Sequence, residues 1–127
     1  MPQRFVILRH DPSPDRPGGL HWDLMLEMGE TLRSWALSDE PRGVATVEAT
    51  ALADHRKAYL AYEGPVSNNR GYVTRWDAGV YELISGSENE WHVLVTGEKI
   101  RGEVRIRRSA TDSRLWSVTL PAEGRRE

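Results

Sequence analysis

Two histidines and one aspartate near the start of the chain are the residues best suited to chemistry. His21 and Asp23 lie two positions apart in an alternating run, residues 21–27. Side chains two apart on a strand share a face, so both can reach one divalent ion if a third ligand joins them. His10, at the end of the preceding apolar run, is the nearest such ligand. On spacing alone, the alternative is that His21 and Asp23 form the solvated face of an amphipathic strand.

The elements that must position these residues are strands separated by loops. Residues 4–10 are apolar and β-branched, which predicts a buried strand. Residues 11–19 contain three prolines and two glycines, which predicts a loop. A turn at residues 29–30 then joins the strand of residues 21–27 to residues 32–37, which predicts a hairpin.

The middle of the chain is less regular. Residues 44–52 are compatible with strand or helix, because β-branched residues alternate there with alanine and glutamate. Residues 54–64 predict one or two helical turns, capped by Asp54 and ended by Gly64. We expect Tyr59 and Tyr62 to form core or pocket walls rather than platforms for base stacking.

The second half of the chain is rich in short alternating runs. They are residues 72–77, 80–84, 91–95, 103–107 and 115–120, and turn-forming residues separate them. This spacing predicts a mainly β fold, a small antiparallel β-barrel with one or two short peripheral helices. We expect one domain over residues 1–127, with a frayed tail at residues 121–127.

Composition excludes several classes of protein. The chain has no cysteine, so disulfides, zinc knuckles and thiol nucleophiles are excluded, and histidines and carboxylates are the remaining metal ligands. Its formal charge of −2 does not favour general binding to nucleic acid, which would need a local arginine cluster. No apolar run approaches the length of a membrane span, and none resembles a leader, so we expect a cytoplasmic monomer.

An ordered series of motifs resembles one known family. The series comprises residues 5–10, 20–27 and 32–37, then 54–55, 59 and 62–64, and finally 76–82, 97–102 and 115–118. It resembles the 3′-phosphoesterase domain found at the N-terminus of bacterial DNA ligase D and, elsewhere, as a stand-alone protein. The resemblance covers nearly the whole chain.

The resemblance implies a manganese-dependent β-barrel enzyme for DNA repair by non-homologous end joining. Such an enzyme trims 3′-phosphates and 3′-terminal ribonucleotides from DNA ends. By position, His10, His21 and Asp23 would bind the metal, for which Mn²⁺ is expected and Zn²⁺ or Co²⁺ would also suit the ligands. His55 would contact the reacting phosphate, and Tyr59 would belong to the same pocket. The implied partners are DNA or RNA-tipped DNA 3′ ends and a separately encoded ligase or polymerase.

The chain departs from the family pattern where phosphate is bound. Met25 stands where the family has an arginine two residues after the metal-binding aspartate, and a second family arginine aligns near Val47. Methionine cannot form the bidentate, charged contacts of arginine. Either Arg9, Arg56 or Arg70 replaces these groups, or the protein is a weakened homologue that binds metal and nucleic-acid ends without catalysis.

A different enzyme class is a distant alternative. His21 and Asp23, with His92 and Arg101 downstream, also resemble the ligand pattern of iron and 2-oxoglutarate oxygenases. The chain is short for that fold, and His92 alternates with core residues, so we expect it to lie on the outer face of its strand.

Overall fold

Nearly all of the regular structure is β-strand. The computed structural model describes residues 2–14, 19–42 and 46–121. The strands in these ranges are β1 (Gln3–Asp11), β2 (His21–Met28), β3 (Thr31–Leu37), β4 (Thr46–Arg56), β5 (Gly64–Pro65), β6 (Tyr72–Gly86), β7 (Glu90–Gly97), β8 (Arg101–Arg108) and β9 (Leu115–Thr119). The same ranges contain one 3₁₀ helix, Lys57–Leu60, and no helix long and apolar enough to cross a bilayer.

The strands close into an antiparallel barrel. Their order is β1-β2-β3-β4-β9-β8-β7-β6, and β6 pairs back with β1, which makes an eight-stranded barrel in the described part of the chain. The short β5 pairs with the start of β6. Closure leaves few unpaired sheet edges. The predicted antiparallel β-barrel is therefore confirmed.

The barrel interior is filled by side chains from all eight strands. Trp35 and Trp116 are buried there, with their rings edge to face at 5.7 Å between centroids. The remaining fully or nearly buried members are Phe5, Ile7, Trp22, Leu24, Leu26, Leu37, Val47, Ala49, Tyr81, Val93, Val95, Ile100, Val104, Ile106 and Val118. Burial of this apolar surface is the main force that closes the barrel.

A second apolar cluster covers the outside of the barrel on one side. We call it the outer cluster; its buried members are Val6, Leu8, Met25, Leu32, Val66 and Val73. Tyr59 and Leu60 of the 3₁₀ helix pack against it. Both faces of β1 and β2 are therefore buried along their middles, which explains why residues 5–8 are apolar without alternation.

The helical turns predicted at residues 54–64 are confirmed in part, as a single 3₁₀ turn at Lys57–Leu60. The ambiguous stretch is strand from Thr46, and β4 continues through Asp54 and His55 to Arg56. Pairing with β3 explains this, because His55 lies opposite Leu32 after a bulge. Asp54 is not a helix cap; it accepts a hydrogen bond from Thr31 Oγ1 at 3.3 Å. Residues 44 and 45 of that stretch lie outside the described residues, as do residues 15–18 of the loop and 122–127 of the tail.

The two strands predicted at residues 72–77 and 80–84 are one continuous strand. Gly79 is no turn, because it lies opposite Phe5 on β1 and Gly97 on β7. A Cβ atom at Gly79 would lie 2.0 Å from the carbonyl oxygen of Thr96. The glycine therefore allows the close approach of a neighbouring strand.

Candidate metal centre

Strand register brings the three predicted metal ligands together. In the β1–β2 pair His10 lies opposite His21, and Leu8 lies opposite Asp23. Opposed residues of an antiparallel pair point to the same face, here the face of the outer cluster. We call His10, His21 and Asp23 the triad. One ligand atom from each lies within 4.8 Å of the others.

Each histidine of the triad turns one ring nitrogen toward Asp23. His10 Nδ1 is 3.1 Å from Asp23 Oδ2, and His21 Nε2 is 3.2 Å from Asp23 Oδ1. The two imidazole centroids are 4.5 Å apart. The aspartate side chain is 4% exposed, whereas the His10 and His21 side chains are 17% and 29% exposed. The centre is thus open to solvent on the histidine side.

The other ring nitrogen of each histidine faces a main-chain carbonyl. His10 Nε2 is 2.7 Å from the oxygen of Arg70, and His21 Nδ1 is 3.0 Å from the oxygen of Gly19. A carbonyl only accepts, so these nitrogens carry the protons. In the neutral tautomers, His10 Nδ1 and His21 Nε2 then present lone pairs toward Asp23. Carbonyl partners of this kind orient histidines that bind metals.

The electrostatics of the triad favour positive charge between its members. Hydrogen bonds to Asp23 raise the pKa of His10 and of His21, despite the opposing effect of burial. Burial raises the pKa of the Asp23 carboxyl, but hydrogen bonds from His10 and His21 outweigh it, and the pKa is lowered. A buried carboxylate that draws protons onto its neighbours is a suitable place for a cation.

The donor set fits a divalent transition metal. Asp23 Oδ1 is buried without a well-formed hydrogen bond to any described residue, although His21 Nε2 lies 3.2 Å away. Two imidazole nitrogens and a carboxylate suit Mn²⁺, Zn²⁺ or Co²⁺. Three protein ligands leave positions open for water and substrate, as catalytic metal sites require.

A tight turn at residues 67–70 holds the carbonyl that faces His10. Asn68 and Asn69 have positive φ angles of 63° and 57°, and Ser13 Oγ donates to Asn69 Oδ1 at 3.0 Å. Gly71, with φ of +105°, follows the turn. A Cβ atom there would lie 2.1 Å from the carbonyl oxygen of Asp11. Only glycine lets this turn approach the end of β1 so closely.

Comparison with known proteins identifies the family of the chain. The DNA Ligase D 3′-phosphoesterase domain family matches residues 10–108, a range that contains the whole triad. The chain belongs to this family. Among curated proteins, the Multifunctional non-homologous end joining protein LigD of Pseudomonas aeruginosa is 28% identical over 116 residues. The match covers 84% of this chain and 13% of that relative, so the chain spans a small part of the relative's length.

His55 and Tyr59, predicted to serve the reaction of this phosphoesterase family, lie near each other but outside the triad. Their rings are edge to face, 5.4 Å apart. His55 shares a register row with Leu32 and Glu27, and Glu27 is four residues beyond Asp23 on β2. That offset corresponds to about 13 Å along the strand direction. His55 Nδ1 is buried and has no hydrogen-bond partner in the described part of the chain.

The three arginines predicted to bind phosphate occupy different places. Arg9 alternates with His10 on β1, so it lies on the opposite face, and it pairs with Asp11 at 3.3 Å. Arg56, at the end of β4, is exposed beside Tyr59. The Arg70 guanidinium donates to the carbonyl and hydroxyl oxygens of Ser67, at 2.8 and 3.0 Å. Of the three, Arg70 contacts the triad, and it does so through its main chain.

Where the family pattern has arginines, this chain has buried apolar residues. Met25 is 1% exposed within the outer cluster, and Val47 is 2% exposed in the barrel interior.

Arg75 is a candidate phosphate-binding residue that the sequence analysis did not identify. It lies opposite Leu8, in the row that contains Asp23 and on the same outer face, and its guanidinium has no hydrogen bond or ion pair to any described residue. Strand register between β1 and β6 is needed to find it.

The third ligand of the oxygenase alternative, His92, is not grouped with His21 and Asp23. His92 lies on the outer face of β7, as expected, and its Nε2 is 3.0 Å from Glu103. Arg101 donates to the carbonyl of Gly97. Within the described ranges, the histidine that joins His21 and Asp23 is His10.

Proposed function

We propose that this chain is a divalent-metal-dependent phosphoesterase that removes a 3′-phosphate or a 3′-terminal ribonucleotide from DNA ends. The observation that carries the proposal is the triad, in which two histidines held by main-chain carbonyls converge on a buried aspartate. Membership of the 3′-phosphoesterase family supports the class of reaction. We propose Mn²⁺ as the metal, because mixed nitrogen and oxygen ligands with open positions suit it.

His10 Nδ1, His21 Nε2 and the Asp23 carboxylate would hold the ion. When bound, a divalent metal polarises a phosphoryl oxygen and lowers the pKa of a bound water. The Arg70 and Gly19 carbonyls accept hydrogen bonds from the far nitrogens, which turns His10 Nδ1 and His21 Nε2 toward Asp23. The burial of Asp23 keeps water from competing for its oxygens.

Arg75 is our candidate to bind the phosphate beside the triad. Its Cα atom is two strand spacings, about 10 Å, from that of Asp23, within reach of a long side chain and a shared phosphate. An arginine without partners is free to form a charge-assisted, bidentate contact. It would replace the family arginine whose position Met25 occupies. His55 stays a candidate to contact or protonate an oxygen of the substrate.

The wider setting is also a proposal. The relative's name refers to non-homologous end joining. We propose that this chain prepares ends in the cytoplasm, as a monomer, for a separately encoded ligase or polymerase.

A 3′-end assay tests the proposed function. The substrate is a primer-template that carries a terminal ribonucleotide or a 3′-phosphate, with Mn²⁺ or with EDTA. We expect Mn²⁺-dependent trimming that His21→Ala abolishes and His92→Ala, a histidine outside the triad, leaves intact. Arg75→Gln should lower kcat/KM by about 10-fold or more, as the loss of a charged hydrogen bond predicts. Arg114→Gln, an exposed arginine, is its control.

The burial of Met25 favours a second candidate function, a module that binds metal and DNA ends without catalysis. Stoichiometric Mn²⁺ binding by wild type, together with tight binding of 3′-phosphorylated DNA and no trimming, would support this module and contradict the phosphoesterase. Trimming that survives in His21→Ala would contradict both.

A further inference from the structure

A cleft of about 190 Å³ opens beside the outer cluster, apart from the triad. Its walls are Arg56, Ala58 and Tyr59 on one side and Tyr62, Pro65 and Ser67 on the other. The first wall is the end of β4 and the 3₁₀ helix, whereas the second belongs to the segment that leads to β6. Two elements of fixed structure therefore bound the cleft.

The aromatic walls of the cleft form a corner. The Tyr59 and Tyr62 rings are 5.6 Å apart and nearly perpendicular, at 87°. The His55 ring also contacts Tyr59, at 5.4 Å between centroids and an angle of 82°. The Tyr62 hydroxyl donates to the carbonyl of Pro65, which holds its ring in place. A flat heterocycle can lie on the face of one such ring while its edge meets the other.

The charge at the rim suits a phosphate ester. Arg56 is exposed, and its guanidinium has neither an ion pair nor a hydrogen bond to any residue that the structure describes. An aromatic platform beside an unpaired arginine is the combination that single-stranded nucleic acid uses, with bases stacked and phosphates paired.

One turn of the chain joins the cleft to the triad. Ser67 lines the cleft, and Arg70, three residues later, supplies the carbonyl that faces His10. The ends of such a turn are separated by less than about 7 Å. If a phosphate is bound at the triad, the nucleoside attached to it can therefore reach the cleft.

We propose that this cleft binds the base of the nucleoside whose 3′ oxygen carries the reacting phosphate. The base stacks in the Tyr59–Tyr62 corner, and Arg56 pairs with the next phosphate toward the 5′ end. The proposal rests on the proposed function for the identity of the ligand. It departs from the sequence-based expectation, which made Tyr59 and Tyr62 core or pocket walls rather than platforms for base stacking.

Binding of short oligonucleotides in EDTA tests the cleft without turnover. The probes are three fluorescein-labelled single strands of DNA with a 3′-phosphate: one intact, one with an abasic residue at the 3′ end, and one with an abasic residue at the 5′ end. By fluorescence anisotropy, wild type should bind the 3′-abasic strand at least about fivefold more weakly than the other two. Tyr62→Ala should bind all three alike, whereas Ile84→Ala, an exposed apolar residue on the β6–β7 hairpin, should keep the wild-type preference.

The outcomes separate the cleft from the phosphoesterase. Equal binding of the three strands by wild type would overturn the cleft proposal, and this comparison needs no variant to fold. Arg56→Gln should weaken binding of all strands and reduce the salt dependence, and an unchanged salt dependence would overturn the role of Arg56. Trimming of the 3′-phosphorylated primer-template with Mn²⁺ tests the phosphoesterase separately. Base-dependent binding without trimming keeps the cleft and rejects the proposed activity, whereas trimming without base-dependent binding keeps the activity and rejects the cleft.

Discussion

Asp23 and Asp77 are two buried aspartates with different hydrogen-bond partners. Each is 3% exposed. Asp77, on β6 and facing the interior, accepts four main-chain hydrogen bonds, from the amides of Ala78, Glu98, Lys99 and Ile100, at 2.8 to 3.1 Å. Asp23, on β2 and facing outward, contacts two histidines, and its Oδ1 lacks a hydrogen bond within the described residues.

The difference separates a carboxylate held by main-chain amides from one held by titratable side chains. Main-chain amides cannot leave Asp77, so its charge is satisfied permanently and fixes the turn between β7 and β8. The partners of Asp23 are titratable groups that also bind metals, so its charge is balanced by whatever cation is present. Burial alone therefore does not identify a site; the kind of partner does.

The largest expected effect is a loss of stability when Asp77, the aspartate held by main-chain amides, is replaced. Asp77→Ala removes the acceptor of four main-chain amides, one buried and three partly buried, and we expect a loss of at least about 3 kcal/mol in the free energy of unfolding. Urea denaturation measures it. Mn²⁺ affinity of the folded fraction should stay unchanged, and a loss below about 1 kcal/mol would show that water replaces the carboxylate.

A smaller effect is expected where the main chain supports the triad. Gly71→Ala forces the turn away from β1 and removes the Arg70 carbonyl from His10, so Mn²⁺ affinity should fall about 10- to 100-fold. Isothermal titration calorimetry measures this affinity. Gly29→Ala is the matched control, because Gly29 also has a positive φ, of +61°, but no atom within 4 Å of an added Cβ. Equal effects of the two substitutions would contradict the role of the turn.

The smallest effect concerns a third acidic residue, Glu27, four residues beyond Asp23 on β2. Hydrogen bonds from Arg4 and then Lys57 lower its pKa from 4.5 to about 2. A carboxyl whose pKa is lower in the folded state stabilises the fold at pH values above its pKa in the unfolded chain. This stabilisation disappears as the pH falls from about 4.5 toward 2. Glu27→Gln should therefore cost about 1–2 kcal/mol at neutral pH, since both cationic partners are partly exposed.

Denaturation at several pH values checks the Glu27 prediction. The difference between wild type and Glu27→Gln should shrink steadily below pH 4.5. A difference that stays constant down to pH 2 would show that the ion pairs contribute no stability.

The first hairpin and the triad are the parts that sequence predicts well. Alternation assigns His21 and Asp23 to one face, and the turn at residues 29–30 sets the pairing of β2 with β3. The presence of His10 in the same centre follows from the resemblance to a family, and the structure confirms that these side chains meet. Local pattern suffices here because the residues lie on two strands that are neighbours in sequence.

Other features depend on partners far away in the chain. The course of β4 through His55 is determined by pairing with β3, and the continuity of β6 through Gly79 by pairing with β1 and β7. Arg70 contacts His10 through its main-chain carbonyl, so the type of its side chain gives no indication of this contact. Arg75 becomes visible only when the β1–β6 register is known. Such features can be inferred only when the strand pairing of the closed barrel is known.

The most direct test of the account is Mn²⁺ binding to Asp23→Asn. Calorimetry on wild type should show one Mn²⁺ per chain. Loss of a group that only supports a metal ligand lowers metal affinity about 10- to 100-fold. In Asp23→Asn a ligand itself is lost, so the Mn²⁺ affinity should fall further than that. Wild-type Mn²⁺ affinity in Asp23→Asn would contradict the assignment of the triad as a metal centre.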